Sequence, residues 1–144
     1  MIEQDTIKLL RECDAGVKMG IASIDDVLPK VQQDPLHKRL SDCKNEHAKL
    51  QSEILSLLGK YQDEGKNPNP IAKGMSRLKT AMRLGMEESD ATIADLMTDG
   101  CNMGVKSLNR YLNQYKAADE TSKDITKRLI RSEEKLAVDI RQFL

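Results

Sequence analysis

The chain contains no tryptophan, one phenylalanine and only 3% aromatic residues. Strands of sandwiches and barrels favour aromatic and β-branched residues, so this scarcity argues against an all-β fold. It also removes the stacking platforms on which many proteins bind single-stranded nucleic acid. The 23 basic and 23 acidic residues give a formal net charge of zero. The sequence therefore has no general attraction to nucleic acid or to anionic lipid.

Long apolar runs and closely spaced cysteines are also missing. No apolar stretch reaches the roughly 18 residues of a membrane span, so we expect no transmembrane helix and no membrane partner. Glu3 and Asp5 stand where a secretory signal would be basic, which favours a cytoplasmic protein. Cys13, Cys43 and Cys101 form no CxxC pair and are expected to be buried, reduced thiols.

Four long segments have apolar residues at every third or fourth position, which is the pattern of amphipathic helices. Asp34 followed by Pro35 favours a helix start, and Ser89 or Asp90 and then Asp119 are candidate N-caps for later helices. No segment alternates in the manner of a strand. The predicted helices cover residues 5–31, 35–60, 89–115 and 119–143.

The connection between the second and third helices is unusually long, at roughly 28 residues. Its first part, 62–70, is rich in proline, glycine and asparagine and reads as a loop. A short helix is expected over 71–84. Short connections make antiparallel hairpins, whereas a long crossover makes helices two and three parallel. The sequence thus predicts one all-α domain, 1–144: a four-helix bundle whose crossover carries a short helix.

The third helix has glycines in its interior. Its apolar pattern places Gly100, Met103 and Gly104 on one broad inward face together with Leu108. Each internal glycine destabilises a helix by up to about 1 kcal/mol relative to alanine. We therefore expect a neighbouring helix to approach closely at these positions.

Several segments carry a family resemblance: Asp34-Pro35-Leu36, residues 77–82, residues 102–105 with Leu108 and Tyr111, and residues 132–135. On these segments the chain resembles the ferritin-like superfamily, and in particular its small bacterial members. The resemblance covers nearly the whole chain and implies a four-helix bundle with one crossover. Active members hold two metal ions with a carboxylate from each of two helices and a Glu-x-x-His pair from each of the other two.

The chain departs from that metal-binding pattern. In the second helix Glu46 follows Cys43, and His47 comes one position late. In the fourth helix Glu133 is followed at the required distance by Leu136, which cannot bind metal. The sequence therefore predicts no di-metal centre, no cofactor and no enzymatic activity. It favours a protein-interaction or structural module, with a homodimer as the expected partner because methionines 75, 82 and 86 exceed what one core needs.

An unconventional metal site remains an alternative. Counting from the hairpin turns places His47 level with Cys101 and Glu133, with Gly20 opposite. Imidazole, thiolate and carboxylate together bind zinc or iron, which would make the chain a metal-binding or oxidative-stress protein. In the competing interpretation His47 is a buried, hydrogen-bonded histidine, Cys101 is a packed thiol and Glu133 lies partly at the surface.

Asp14 is the fourth candidate ligand. It lies on the seam of the first helix, where an active relative would place its first carboxylate. Three alternatives remain open from the sequence. Asp14 rotates outward and leaves Cys13 on the seam, or pairs with Lys18 one turn later, or is buried level with Glu53 so that two carboxylates favour a cation.

Overall fold

The structure is a computed structural model that describes residues 2–68 and 89–144. Within these ranges the chain forms four long α-helices and no strand, which confirms the predicted all-α class. The predicted short helix over 71–84 lies outside the described residues. Single 3-10 turns follow the first and last helices, at Leu28–Lys30 and Arg141–Phe143. The helices are α1 (Ile2–Val27), α2 (Asp34–Gly59), α3 (Asp90–Gln114) and α4 (Glu120–Asp139).

The helix ends agree only partly with prediction. Ser89 and Asp119 cap α3 and α4 as expected, because their side chains accept hydrogen bonds from backbone N–H groups three residues on. The predicted cap at Asp34 is wrong, since Gln33 precedes the helix and Asp34 is its first residue. The first helix ends at Val27 instead of 31, where Pro29 enters a 3-10 turn.

The four helices pack as a bundle with a definite order around its axis. Both α1 and α4 pack against α2 and against α3, and α1 also contacts α4 across the bundle. At one end, Asp90 accepts hydrogen bonds of 2.9 Å from the backbone N–H groups of Gln32 and Gln33. At the other end, the N–H of Asp119 donates to Thr6 Oγ1 at 2.9 Å. Helices α2 and α3 therefore start at the same end and run in the same direction.

The interior consists of two apolar clusters, one toward each end of the bundle. Between them lies a layer of four residues that we call the polar layer: Gly20, His47, Gly104 and Glu133. The cluster at the Thr6 end contains Leu9, Leu10, Cys13, Val17, Leu50, Ile54, Leu58, Leu108, Ala118, Ile125, Leu129 and Ile130. The cluster at the Asp90 end contains Ile24, Val27, Leu36, Leu40, Cys43, Ile93, Met97, Cys101, Leu136 and Ile140.

The predicted inward face of α3 is wrong at two positions. Gly100 is exposed, and 69% of the Met103 surface is exposed. Met97 and Leu108 are buried as predicted, and Cys101, one residue and about 100° round the helix from Gly100, is also buried. The expectation of three buried, unpaired cysteines is confirmed. None of the helices among the described residues is long and apolar enough to span a membrane.

Candidate functional site

The polar layer joins α2 to α4 through one histidine and one glutamate. His47 lies on the buried stripe of α2 and is 2% exposed. Its Nδ1 is 3.1 Å from the carbonyl oxygen of Cys43, one helical turn earlier, so Nδ1–H donates to that carbonyl. Its Nε2 points across the interface and lies 3.6 Å from Oε1 of Glu133, which is also buried. The contact expected from counting along the hairpins is therefore present.

Two glycines close around this pair. A Cβ atom at Gly20 of α1 would lie 3.0 Å from Cδ2 and 3.1 Å from Nε2 of His47. A Cβ atom at Gly104 of α3 would lie 2.9 Å from Cδ and 3.0 Å from Oε1 of Glu133. Every helix thus contributes one residue to the layer. The close approach expected at the α3 glycines holds at Gly104 only, because nothing comes within 4 Å of a Cβ atom at Gly100.

The electrostatics of the pair favour a bound proton. Burial alone would lower the pKa of His47, but the interactions of its ring with Cys43 and with the Glu133 carboxylate outweigh burial and raise the pKa to about 10. Burial raises the pKa of Glu133, against the opposing effect of the His47 imidazole. Both shifts keep a proton in the pair at neutral pH. Glu133 Oε2 is buried and has no hydrogen-bond partner within the described part of the chain.

Cys101 lies near the pair but stays a thiol. It is 5% exposed. Burial, and then the charge of Glu133, raise its pKa to about 12, so the metal-binding thiolate is scarce at neutral pH. Among residues 2–68 and 89–144, no group of three or more His, Cys, Asp and Glu side chains is arranged to hold a metal ion.

Two of the residues that the sequence resemblance pointed to as possible metal ligands lie apart from the polar layer, and one of them is apolar. Glu46 is exposed, and its carboxylate accepts a hydrogen bond of 2.9 Å from the Ser132 hydroxyl on the surface of α4. Leu136 stands where a second histidine is needed, and its side chain is buried in the core. No step of ferritin-like chemistry can be assigned to these side chains.

Asp14 is fully buried, so the predicted outward rotation is wrong. Its carboxylate lies 2.7 Å from Lys18 Nζ and accepts a hydrogen bond of 2.9 Å from the backbone N–H of Lys66. Pairing with Lys18 is the alternative that the structure bears out. Glu53 does not join Asp14, since both of its oxygens bind Arg128 at the surface.

The Lys66 contact is one that sequence reasoning missed. Residue Gly65 has a φ of +93°, a conformation that favours glycine. A Cβ atom there would also lie 3.2 Å from Cγ of Asp14. Asp14 therefore holds the chain that leaves α2 against α1. Gly65, in the turn-rich run 62–68, was the sequence feature that could have indicated this contact. Cys13, beside it, is buried with its Sγ 3.1 Å from Thr126 Oγ1.

The outer surface of the described residues has a shallow groove and several separate exposed apolar side chains. The groove lies between the start of α2 and the end of α4, where Arg39 Nε donates to Asp139 at 2.7 Å. Its other lining residues include Lys38, Arg141 and Phe143. The large apolar side chains that are exposed are Ile2, Leu55, Met103, Val138 and Leu144.

Comparison with protein-family models, with curated proteins and with solved structures finds no match to this chain. Its function is therefore inferred from the polar layer and from the surface of the bundle.

Proposed function

We propose that this chain is a ferritin-like bundle without a di-metal centre, which acts as a structural or protein-interaction module in the cytoplasm. The observation that carries the proposal is the polar layer. His47 and Glu133 bind each other, and Gly20 and Gly104 close around them. This arrangement supports a bundle interior that is filled by the protein's own side chains, where active superfamily members hold metal ions.

The direction of the helices supports the ferritin-like assignment. Asp90, at the start of α3, binds the backbone just before α2, so α2 and α3 start at the same end and run in the same direction. The second and third helices of an up-down-up-down bundle are antiparallel, whereas those of a bundle with one crossover are parallel.

Metal analysis tests the proposal directly. The protein would be purified without chelator, analysed for iron and zinc, and then mixed with Fe²⁺ and oxygen. We expect no stoichiometric metal and no catalysed oxidation of Fe²⁺. Metal at about one or two ions per chain, or ferroxidase turnover, would contradict the proposal.

A second candidate function, zinc binding at His47, is favoured by one distance. The 3.6 Å between Nε2 and Oε1 exceeds a normal N–H···O hydrogen bond. Two tetrahedral zinc ligands at about 2.0–2.1 Å from the ion would lie roughly 3.4 Å apart. The Nδ1–H bond to Cys43 makes Nε2 the nitrogen that faces Glu133, and zinc binding there would require Nε2 to lose its proton.

Thermal unfolding separates the two candidates. Under the metal-free proposal, added zinc or added chelator leaves the melting temperature of the wild type unchanged. Under the second candidate, zinc raises it and chelator lowers it, and the His47→Leu variant responds to neither. Lys49→Glu, an exposed change on α2, serves as the control for general effects of surface charge.

The proposal includes a homodimer as the first partner to test. The methionines on which the sequence prediction rested, at 75, 82 and 86, lie outside the described residues. Among the described residues, Met103 is an exposed apolar side chain on a long helix and supports a contact surface there.

A further inference from the structure

The outward face of α3 carries a regular stripe of its own. Asp99, Met103, Lys106 and Arg110 are exposed, and their spacing of four, three and four residues keeps them on one side of the helix. This stripe lies opposite the buried one that runs through Cys101 and the other core residues of α3. We refer to these four residues as the α3 outer stripe.

The charged side chains of the outer stripe have no oppositely charged partner within the described part of the chain. Asp99, Lys106 and Arg110 form no ion pair with any residue in 2–68 or 89–144. Some other surface charges are paired, as Arg128 is with Glu53. The stripe therefore combines charges that have no partner among the described residues with Met103, whose surface is 69% exposed.

The charges are arranged with opposite signs on either side of one point. Asp99 lies three and a half residues before the midpoint between residues 102 and 103, and Lys106 lies three and a half residues after it. A helix with this pattern is electrostatically complementary to an antiparallel copy of itself.

We propose that two copies of this chain associate through the α3 outer stripe, with the two α3 helices antiparallel about a two-fold axis between residues 102 and 103. Asp99 of each copy then faces Lys106 of the other, so this contact forms twice by symmetry. The two Met103 side chains meet beside the axis and bury their exposed surface. The inference rests on the proposed function, because it names the partner and the surface of the interaction module.

The same charges disfavour the parallel arrangement. In a parallel pair Asp99 would face Asp99, and Lys106 would face Lys106, so like charges would oppose each other at both positions. Orientation can therefore be tested by reversing charges, without further structural information.

The experiment compares charge reversals by sedimentation velocity over a range of concentrations at low and high salt. Each single change, Asp99→Lys or Lys106→Glu, turns both symmetric attractions into repulsions and should weaken association by about tenfold or more. The double variant Asp99→Lys/Lys106→Glu restores opposite charges across the axis and should associate like the wild type. An equimolar mixture of the two single variants should also associate, as a heterodimer. Lys49→Glu on α2 should leave association unchanged.

Circular dichroism of each variant checks that the bundle is folded, and the mixture of single variants tests the pairing even if the double variant is unstable. Single variants that associate as strongly as the wild type, or a folded double variant and a mixture that both stay monomeric, would overturn the antiparallel pairing. A wild type that stays monomeric at every concentration would overturn both this pairing and the homodimer. Neither outcome depends on metal content. The absence of a di-metal centre is tested separately, by metal analysis.

Discussion

Alanine at the two glycines of α3 should have opposite effects on stability. Glycine is about 1 kcal/mol less favourable than alanine inside a helix. At Gly100 nothing lies within 4 Å of the added Cβ atom, so the variant should gain about 0.5–1 kcal/mol of unfolding free energy. Gly104→Ala makes the same gain in helix propensity but places its Cβ atom against the Glu133 carboxyl group.

The loss of stability expected for Gly104→Ala follows from the displacement of the Glu133 carboxylate. Its Cδ would lie 2.9 Å from the new Cβ, which is too close, so the carboxylate has to move. Movement separates it from His47 in a buried layer, and an unsatisfied buried polar group costs about 1–3 kcal/mol. After subtracting the helix-propensity gain of about 1 kcal/mol, Gly104→Ala should lose up to about 2 kcal/mol of unfolding free energy.

Urea unfolding followed by circular dichroism measures both variants. The two should differ by about 1–3 kcal/mol, with opposite signs relative to the wild type. Repeating Gly104→Ala in a Glu133→Ala background should turn its effect into a gain, because the obstructing carboxyl group is gone. The reasoning is refuted if Gly104→Ala is as stabilising as Gly100→Ala in the wild-type background.

Three further predictions concern pH, the bundle end and the thiols. The pKa of His47 is raised from 6.5 to about 10, so its stabilising effect is complete below 6.5 and is lost as pH rises through about 10. Urea midpoints should therefore show the wild type losing stability between pH 7 and 10 relative to His47→Leu, and parallel curves would contradict this. Asp90→Ala removes two charge-assisted hydrogen bonds and should cost about 2–3 kcal/mol in the same assay, whereas an unchanged midpoint would show that Asp90 does not hold the loop. Because burial raises the pKa of Cys13 and Cys101 to about 12, neither thiol should react with a disulfide reagent at pH 8 until urea unfolds the chain, and fast native labelling would refute their burial.

The four helices were predictable because each buries one stripe, and the spacing of apolar residues records that stripe directly. Their ends were less predictable. Asp90 was a plausible cap, yet the structure uses its carboxylate to hold the loop before α2, and Ser89 caps the helix. That choice depends on where the loop lies, which local sequence does not specify.

Part of the polar layer was predictable from sequence. Counting from the hairpin turns placed His47 level with Glu133 and opposite Gly20, and the contact between His47 and Glu133 is present. Gly104 was not predicted to lie in this layer. The Asp14 contact with Lys66 was missed because it depends on the path of the chain after α2. Met103 was misplaced because a broad apolar pattern does not fix where the buried face of a helix ends.

The polar layer also constrains how this sequence can change over evolutionary time. Loss of His47 alone would leave Glu133 buried without its partner, and loss of Glu133 would do the same to the histidine. Substitutions at the two positions should therefore occur together. Once both are apolar, nothing would preserve glycine at 20 and 104 for the sake of the pair, and alanine would favour the helix at each. In a set of related sequences, these four positions should vary as one unit while the surrounding apolar positions vary independently.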